Sequence, residues 1–93
     1  MARKTEGERL ILKDRTEIED GRAGEMDGFL WIWIGGMTMA EAAEIAFNPE
    51  KTAKIRYQYG EMEDIFTGYT NCTSMGIGPD GKISICLRRD EHV

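Results

Sequence analysis

Apolar and polar residues alternate in several segments of this chain, and at one place the alternation fails. Phe29-Leu30-Trp31-Ile32-Trp33-Ile34 is an unbroken apolar run between Asp27-Gly28 and Gly35-Gly36, and it holds both tryptophans. A strand sends successive side chains to opposite faces, so Phe29, Trp31 and Trp33 share one face while Leu30, Ile32 and Ile34 share the other. Both faces call for cover. One short helix can cover one face of a small sheet; the second needs closure into a barrel, another chain or a ligand. Two indoles packed wholly inside a lone subunit would remove this case for a partner.

The remaining pattern predicts an α+β fold, mainly an antiparallel sheet of about six or seven strands, strongly curved or barrel-like, with one short helix near 38–47. Arg9 to Lys13 reads as a strand, Asp14-Arg15 as a tight turn and Thr16 to Glu19 as the return. Pairing Lys13 with Thr16 sets Ile11 opposite Ile18, and puts Leu10 and Leu12 on the other face with Glu17 and Glu19. Asp20 to Gly28, rich in glycine and acid, reads as a loop and as the most mobile segment. Thr38-Met39-Ala40-Glu41 matches a capping box, and the spacing predicts a helix from Met39 to Phe47 with Met39, Ala42, Ala43, Ala46 and Phe47 on one side. Asn48-Pro49 stops it.

Ala53 to Tyr59 alternates again, with Ile55, Tyr57 and Tyr59 on one face. A two-residue turn at Gly60-Glu61 pairs Ile55 with Phe66, Tyr57 with Asp64 and Tyr59 with Met62, and on the other face Gln58 with Glu63 and Arg56 with Ile65. The chain bends at Gly68, runs as a strand near 71–77, turns at Gly78-Pro79-Asp80-Gly81 and returns over 82–88. A three-residue loop with a glycine bulge pairs Ile77 with Ile83, Met75 with Ile85 and Thr73 with Leu87. It also places Cys72 and Cys86 on the opposite face as diagonal neighbours, beyond disulfide reach.

The length of 93 residues suits one domain, taken as 9–89, with an arm at 1–8 and a tail at 90–93. No apolar run approaches the ~20 residues of a membrane span, and the first residues show no signal peptide, so a cytoplasmic location is expected. Two cysteines without zinc-ligand spacing suit a reducing compartment as free thiols. The net charge of -5 argues against nucleic acid as a partner. Glu17, Glu19, Asp20, Glu25 and Asp27 form the densest acidic segment and a candidate charged rim.

Catalytic chemistry finds little support. The single histidine, His92, lies next to the C-terminal residue, and neither cysteine has an activating neighbour in sequence. Glu17 with Glu19, and Glu61 with Glu63, alternate as solvent-facing acids do. Gly35-Gly36 precedes a helix start without nucleotide-binding spacing, which leaves at most a weak site for a small anionic ligand. No cofactor, metal or enzymatic activity is expected. The aromatic residues Trp31, Trp33, Tyr57 and Tyr59 remain as the candidate partner contacts.

Leu10-Ile11-Leu12-Lys13-Asp14-Arg15-Thr16-Glu17-Ile18, Met37-Thr38-Met39-Ala40-Glu41-Ala42-Ala43, Phe47-Asn48-Pro49-Glu50-Lys51-Thr52, Gly68-Tyr69-Thr70 and Ile83-Ser84-Ile85-Cys86-Leu87 resemble, in style and order, small acidic accessory proteins of phages and prophages of Gram-positive gut bacteria. The resemblance spans roughly 9–88, and Asp14-Arg15-Thr16 stands where it implies Asp-Gly-Thr. Proteins of that kind include inhibitors of bacterial defence and minor virion components. Taken with the apolar sheet face and the empty catalytic inventory, this predicts a non-enzymatic, phage-encoded protein in the cytoplasm of a bacterial host that blocks or sequesters a host protein and forms a homo-oligomer, in the simplest case a dimer, through that face. Alternatives are a virion or assembly accessory protein and a sponge for a small nucleotide signal.

Overall fold

The computed structural model describes residues 7–89; His92 and most of the predicted arm and tail lie outside them. Among the described residues eight strands form two four-stranded antiparallel sheets rather than a single sheet or a closed barrel. The first sheet contains β1 (Glu8–Ile11), β2 (Glu17–Ile18), β5 (Lys54–Tyr59) and β6 (Met62–Thr67), in the order β2-β1-β5-β6. The second contains β3 (Gly21–Met26), β4 (Phe29–Ile34), β7 (Asn71–Ile77) and β8 (Ile83–Arg88), in the order β3-β4-β8-β7. Between β4 and β5 lie α1 (Met39–Ala46) and a second short helix, α2 (Pro49–Thr52).

The one-sheet expectation failed at Asp20 to Gly28. This segment is not a loop: Gly21 to Met26 pairs residue for residue with Ile34 to Phe29. Asp27 and Gly28, both at positive φ, make the two-residue turn that such a hairpin needs. Low β-propensity at Ala23 and Gly24 concealed the strand, and pairing to the strongly apolar β4 overrides it. The chain therefore crosses from one sheet to the other between Ile18 and Gly21. There the sheets approach so closely that a Cβ on Gly21 would sit 2.9 Å from the Leu10 side chain.

The first hairpin is displaced by one residue from its predicted register. Leu10 pairs with Ile18 and Ile11 with Glu17, around a loop closed by Leu12 N–H donating to the Thr16 carbonyl. Arg15 adopts φ +75°, the left-handed conformation for which glycine is suited, at the place where the resemblance implied glycine. The slip exchanges faces: Leu10, Leu12 and Ile18 enter the core together, and Glu17 faces out beside Ile11. The β5–β6 hairpin has the predicted register at every named pair.

In the β7–β8 hairpin Ile77 with Ile83 and Met75 with Ile85 pair as predicted, but Thr73 does not meet Leu87. The register shifts between Cys72 and Ser74, so Cys72 meets Leu87 and Ser74 meets Cys86. The bulge separates the thiols: Cys72 packs against the core, while Cys86 lies in the row of outward-facing residues and is nevertheless buried.

The capping box at Thr38 and Glu41 starts α1 as predicted. Its buried face is Ala42, Ile45 and Ala46; Phe47, placed on that face by the sequence, is the C-cap and 65% exposed. Asn48 ends α1 and caps α2, accepting from the Glu50 N–H. The inner faces of both sheets and α1 share one core, with Leu10, Leu30, Ile32, Ile34, Ile55, Ile83, Ile85 and Leu87 fully buried.

Thr52, at the end of α2, is buried, and its Oγ1 has no hydrogen-bond partner among the described residues. A buried hydroxyl without a partner costs stability that a methyl of similar shape does not. Thr52→Val is expected to raise the unfolding free energy by about 1 kcal/mol. Urea unfolding checks this, and a destabilised variant would mean that the hydroxyl is satisfied in solution.

Candidate functional site

Strand β4 divides its six apolar residues between two environments. Leu30, Ile32 and Ile34 are at most 2% exposed, whereas Phe29, Trp31 and Trp33 are only half-buried. The second group lies on the outer face of β3-β4-β8-β7, opposite the core-facing residues of the same strand. Cross-strand pairing sets the composition of this face. Trp33 lies between Arg22 and Ser84, Trp31 between Gly24 and Cys86, and Phe29 between Met26 and Arg88. Trp31 is thus flanked by small residues on both sides and Trp33 on one, and Met26, 56% exposed, extends the apolar surface.

At the Trp33 end the face opens into a cleft of about 410 Å³ lined by Glu8, Asp20, Gly21, Arg22, Trp33, Asp80 and Lys82. Arg22 Nε donates to Glu8 Oε1 at 2.9 Å, and Lys82 Nζ to Asp20 Oδ1 at 3.2 Å. The Arg22 guanidinium holds the Glu8 carboxyl below its usual range, and Glu8 in turn raises Arg22. A second, more open depression shares Trp33, Asp80 and Lys82 with the cleft and is completed by Gly78, Pro79 and Ser84. Trp33 is thus a wall of both.

The other predicted contact residues do not form one surface. Tyr57 and Tyr59 belong to the first sheet, where their rings stack with centroids 4.6 Å apart and the Tyr59 hydroxyl donates to Asp64. Glu17 faces out from that sheet, paired with Arg9, and Glu19 is exposed between β2 and β3. Asp20 lines the cleft. Glu25 accepts from the buried Tyr69 hydroxyl, and Asp27 occupies the tip of the β3–β4 hairpin. The expected acidic rim over 17–27 is split because β2 and β3 lie in different sheets and successive residues of β3 point to opposite sides.

Sequence reasoning missed Glu8, Arg22, Asp80 and Lys82. Arg22, Gly24 and Met26 would have been legible as one face had Asp27-Gly28 been recognised as a hairpin turn; Glu8 and Lys82 reach the cleft only through tertiary packing. Burial pushes the Cys72 thiol up, away from the reactive thiolate. Among the described residues no group of three or more His, Cys, Asp or Glu side chains could hold a metal ion, and no helix is long and apolar enough to cross a membrane.

Burial, and then the neighbouring Glu8 carboxylate, raise Tyr57 to about 12. Hydrogen bonding to Asp64 raises Tyr59; burial, then Glu25, raises Tyr69. A tyrosine raised in the folded state stabilises the fold fully below its unfolded pKa of about 10, and that contribution is lost as pH rises through the folded value. Alkaline titration at the phenolate absorbance band is therefore expected to show late ionisation in native protein and ordinary ionisation in denaturant. The melting temperature is expected to fall between about pH 10 and 12. Superimposable native and denatured titrations would remove the Tyr57–Glu8 and Tyr59–Asp64 contacts from the account.

Comparisons with protein-family models, curated proteins and solved structures find no match to this chain.

Proposed function

We propose that the protein is a non-enzymatic binding protein that acts by occupying a macromolecular partner through the outer face of β3-β4-β8-β7. The observation that carries this reading is the division of β4: the chain covers Leu30, Ile32 and Ile34 and leaves Phe29, Trp31 and Met26 at the surface. A contiguous aromatic patch of this kind supplies binding energy when a partner desolvates it, without any reactive group. The resemblance to phage accessory proteins makes a bacterial host protein the partner and blocking or sequestration the action. Self-association through the same face is the form in which a homo-oligomer would arise.

The test is a comparison of wild type with Phe29→Ala/Trp31→Ala, both immobilised and exposed to an extract of a Gram-positive host. Wild type is expected to retain a defined host protein in stoichiometric amount, and the double variant, still folded by circular dichroism, to release it. Equal retention by both, or none by either, overturns the reading. Sedimentation of the two proteins reports self-association at the same time.

A second reading, a virion or assembly accessory protein, draws support from the sheet edges. Strands β6 and β7 each end a sheet and carry exposed Met62, Ile65 and Ile77. Edge strands with apolar side chains are the surfaces to which other chains add strands. Mass spectrometry of purified particles separates this reading from the first.

A further inference from the structure

The cleft beside Trp33 differs in chemistry from the aromatic patch next to it, and we propose that it is a binding site for a neutral saccharide. The inference goes beyond the protein-binding role and does not depend on it, because it uses Trp33 and the cleft rather than Phe29, Trp31 and Met26.

The lining narrows the class of ligand. Glu8, Asp20 and Asp80 supply carboxylates, and Arg22 and Lys82 supply cations, around one indole and the bare backbone of Gly21. An apolar occupant would strip water from five ionised groups and return no hydrogen bonds, at a large desolvation cost. A phosphate-bearing occupant would meet three carboxylates, with both cations already engaged by Glu8 and Asp20. A polycationic occupant meets the converse obstacle in Arg22 and Lys82.

A neutral polyol fits both sets. Its hydroxyls donate to the carboxylate oxygens and accept from the guanidinium and ammonium groups, and charge-assisted hydrogen bonds are the stronger kind. The C–H face of a pyranose packs on an indole without needing charge. The ion pairs at 2.9 Å and 3.2 Å link β1 to β3, and the β2–β3 connection to the residue before β8, so they gather donors and acceptors from separate elements around the indole. The adjoining depression, which shares Trp33, Asp80 and Lys82 with the cleft, leaves room for a second sugar unit.

The experiment is a titration of the whole protein, followed by tryptophan fluorescence and amide NMR shifts, with neutral hexose and N-acetylhexosamine oligomers, a nucleoside monophosphate and an acidic peptide as separate arms. At least one neutral oligosaccharide is expected to saturate the signal at about 1 mM or below, with shifts centred on Gly21, Arg22, Trp33 and Lys82. Trp33→Ala is expected to weaken that binding by about tenfold or more, Trp33→Tyr to retain most of it, and Trp31→Ala to leave it within about threefold of wild type. Should Trp33→Ala fail to fold, loss of binding in Asp20→Asn/Asp80→Asn serves in its place. No response to any saccharide at about 10 mM, a stronger response to the nucleotide or the peptide, or saccharide binding indifferent to Trp33 and to the two aspartates overturns the proposal. Because the host-protein retention test uses Phe29 and Trp31, either result can fail while the other stands.

Discussion

Leu30→Ala is expected to lower the unfolding free energy by about 2–5 kcal/mol, whereas Trp31→Ala, one residue along and the larger truncation, is expected to cost only about 1–2 kcal/mol. The inversion follows from β4's two faces. Leu30 is fully buried, pairs with Leu87 and belongs to the core shared by both sheets and α1. Removing its isobutyl group leaves a cavity that the paired strands on either side cannot close. Trp31 lies half in water between Gly24 and Cys86, so truncation loses partial burial and exposes the Cys86 side chain without opening a hole in the core. For a chain of this size each kcal/mol shifts the melting temperature by roughly 4–8 °C, which thermal denaturation resolves easily. If Trp31→Ala proved as damaging as Leu30→Ala, the outer face would be part of the core, and its role as a binding surface would be lost.

Gly21→Val is expected to be the most disruptive of the single glycine changes, costing about 3 kcal/mol or more, while Gly24→Thr three residues on the same strand is expected to be neutral or slightly stabilising. The Cβ of any residue at 21 would lie 2.9 Å from Leu10 Cγ and Cδ1 and 3.3 Å from Ile18 Cγ2. Leu10 is fully buried and cannot yield without moving β1 and, with it, the first sheet. A Cβ at 24 meets nothing within 4 Å, and threonine suits a strand better than glycine. Urea denaturation of the two variants measures the contrast directly. Equal stability would show that the sheets are not held together at the Leu10–Gly21 contact.

Residue order alone carries some parts of this fold and not others. The β5–β6 register was legible because Gly60-Glu61 leaves one two-residue turn, and the alternation of Ile55, Tyr57 and Tyr59 leaves one choice of face. The α1 start was legible because Thr38 and Glu41 cap each other locally. The first hairpin was not, because either of two turns fits Lys13 to Thr16, and the choice rests on burying Leu10, Leu12 and Ile18 together. The bulge at Thr73 was equally hidden: its hydroxyl donates to the Cys86 carbonyl, a contact that exists only once β7 and β8 are aligned.

Of the candidate site, the aromatic half was visible in the sequence and the polar half was not. Trp31 and Trp33 announced themselves as a surplus of apolar side chains on one strand. The carboxylates and cations around Trp33 come from β1, the β2–β3 connection, β3 and the β7–β8 turn, and nothing in their spacing foretells that they meet.

The sequence by itself determined the strands with strong alternation, the capped helix and the presence of two apolar faces on 29–34, since these follow from local geometry and side-chain periodicity. Only the tertiary structure decided that the strands divide into two sheets, that Leu30, Ile32 and Ile34 face the core while the tryptophans face outward, and that Glu8, Asp20, Arg22, Asp80 and Lys82 surround one indole. The reason is physical: periodicity says which residues share a face, but which face is buried depends on what the rest of the chain can pack against it.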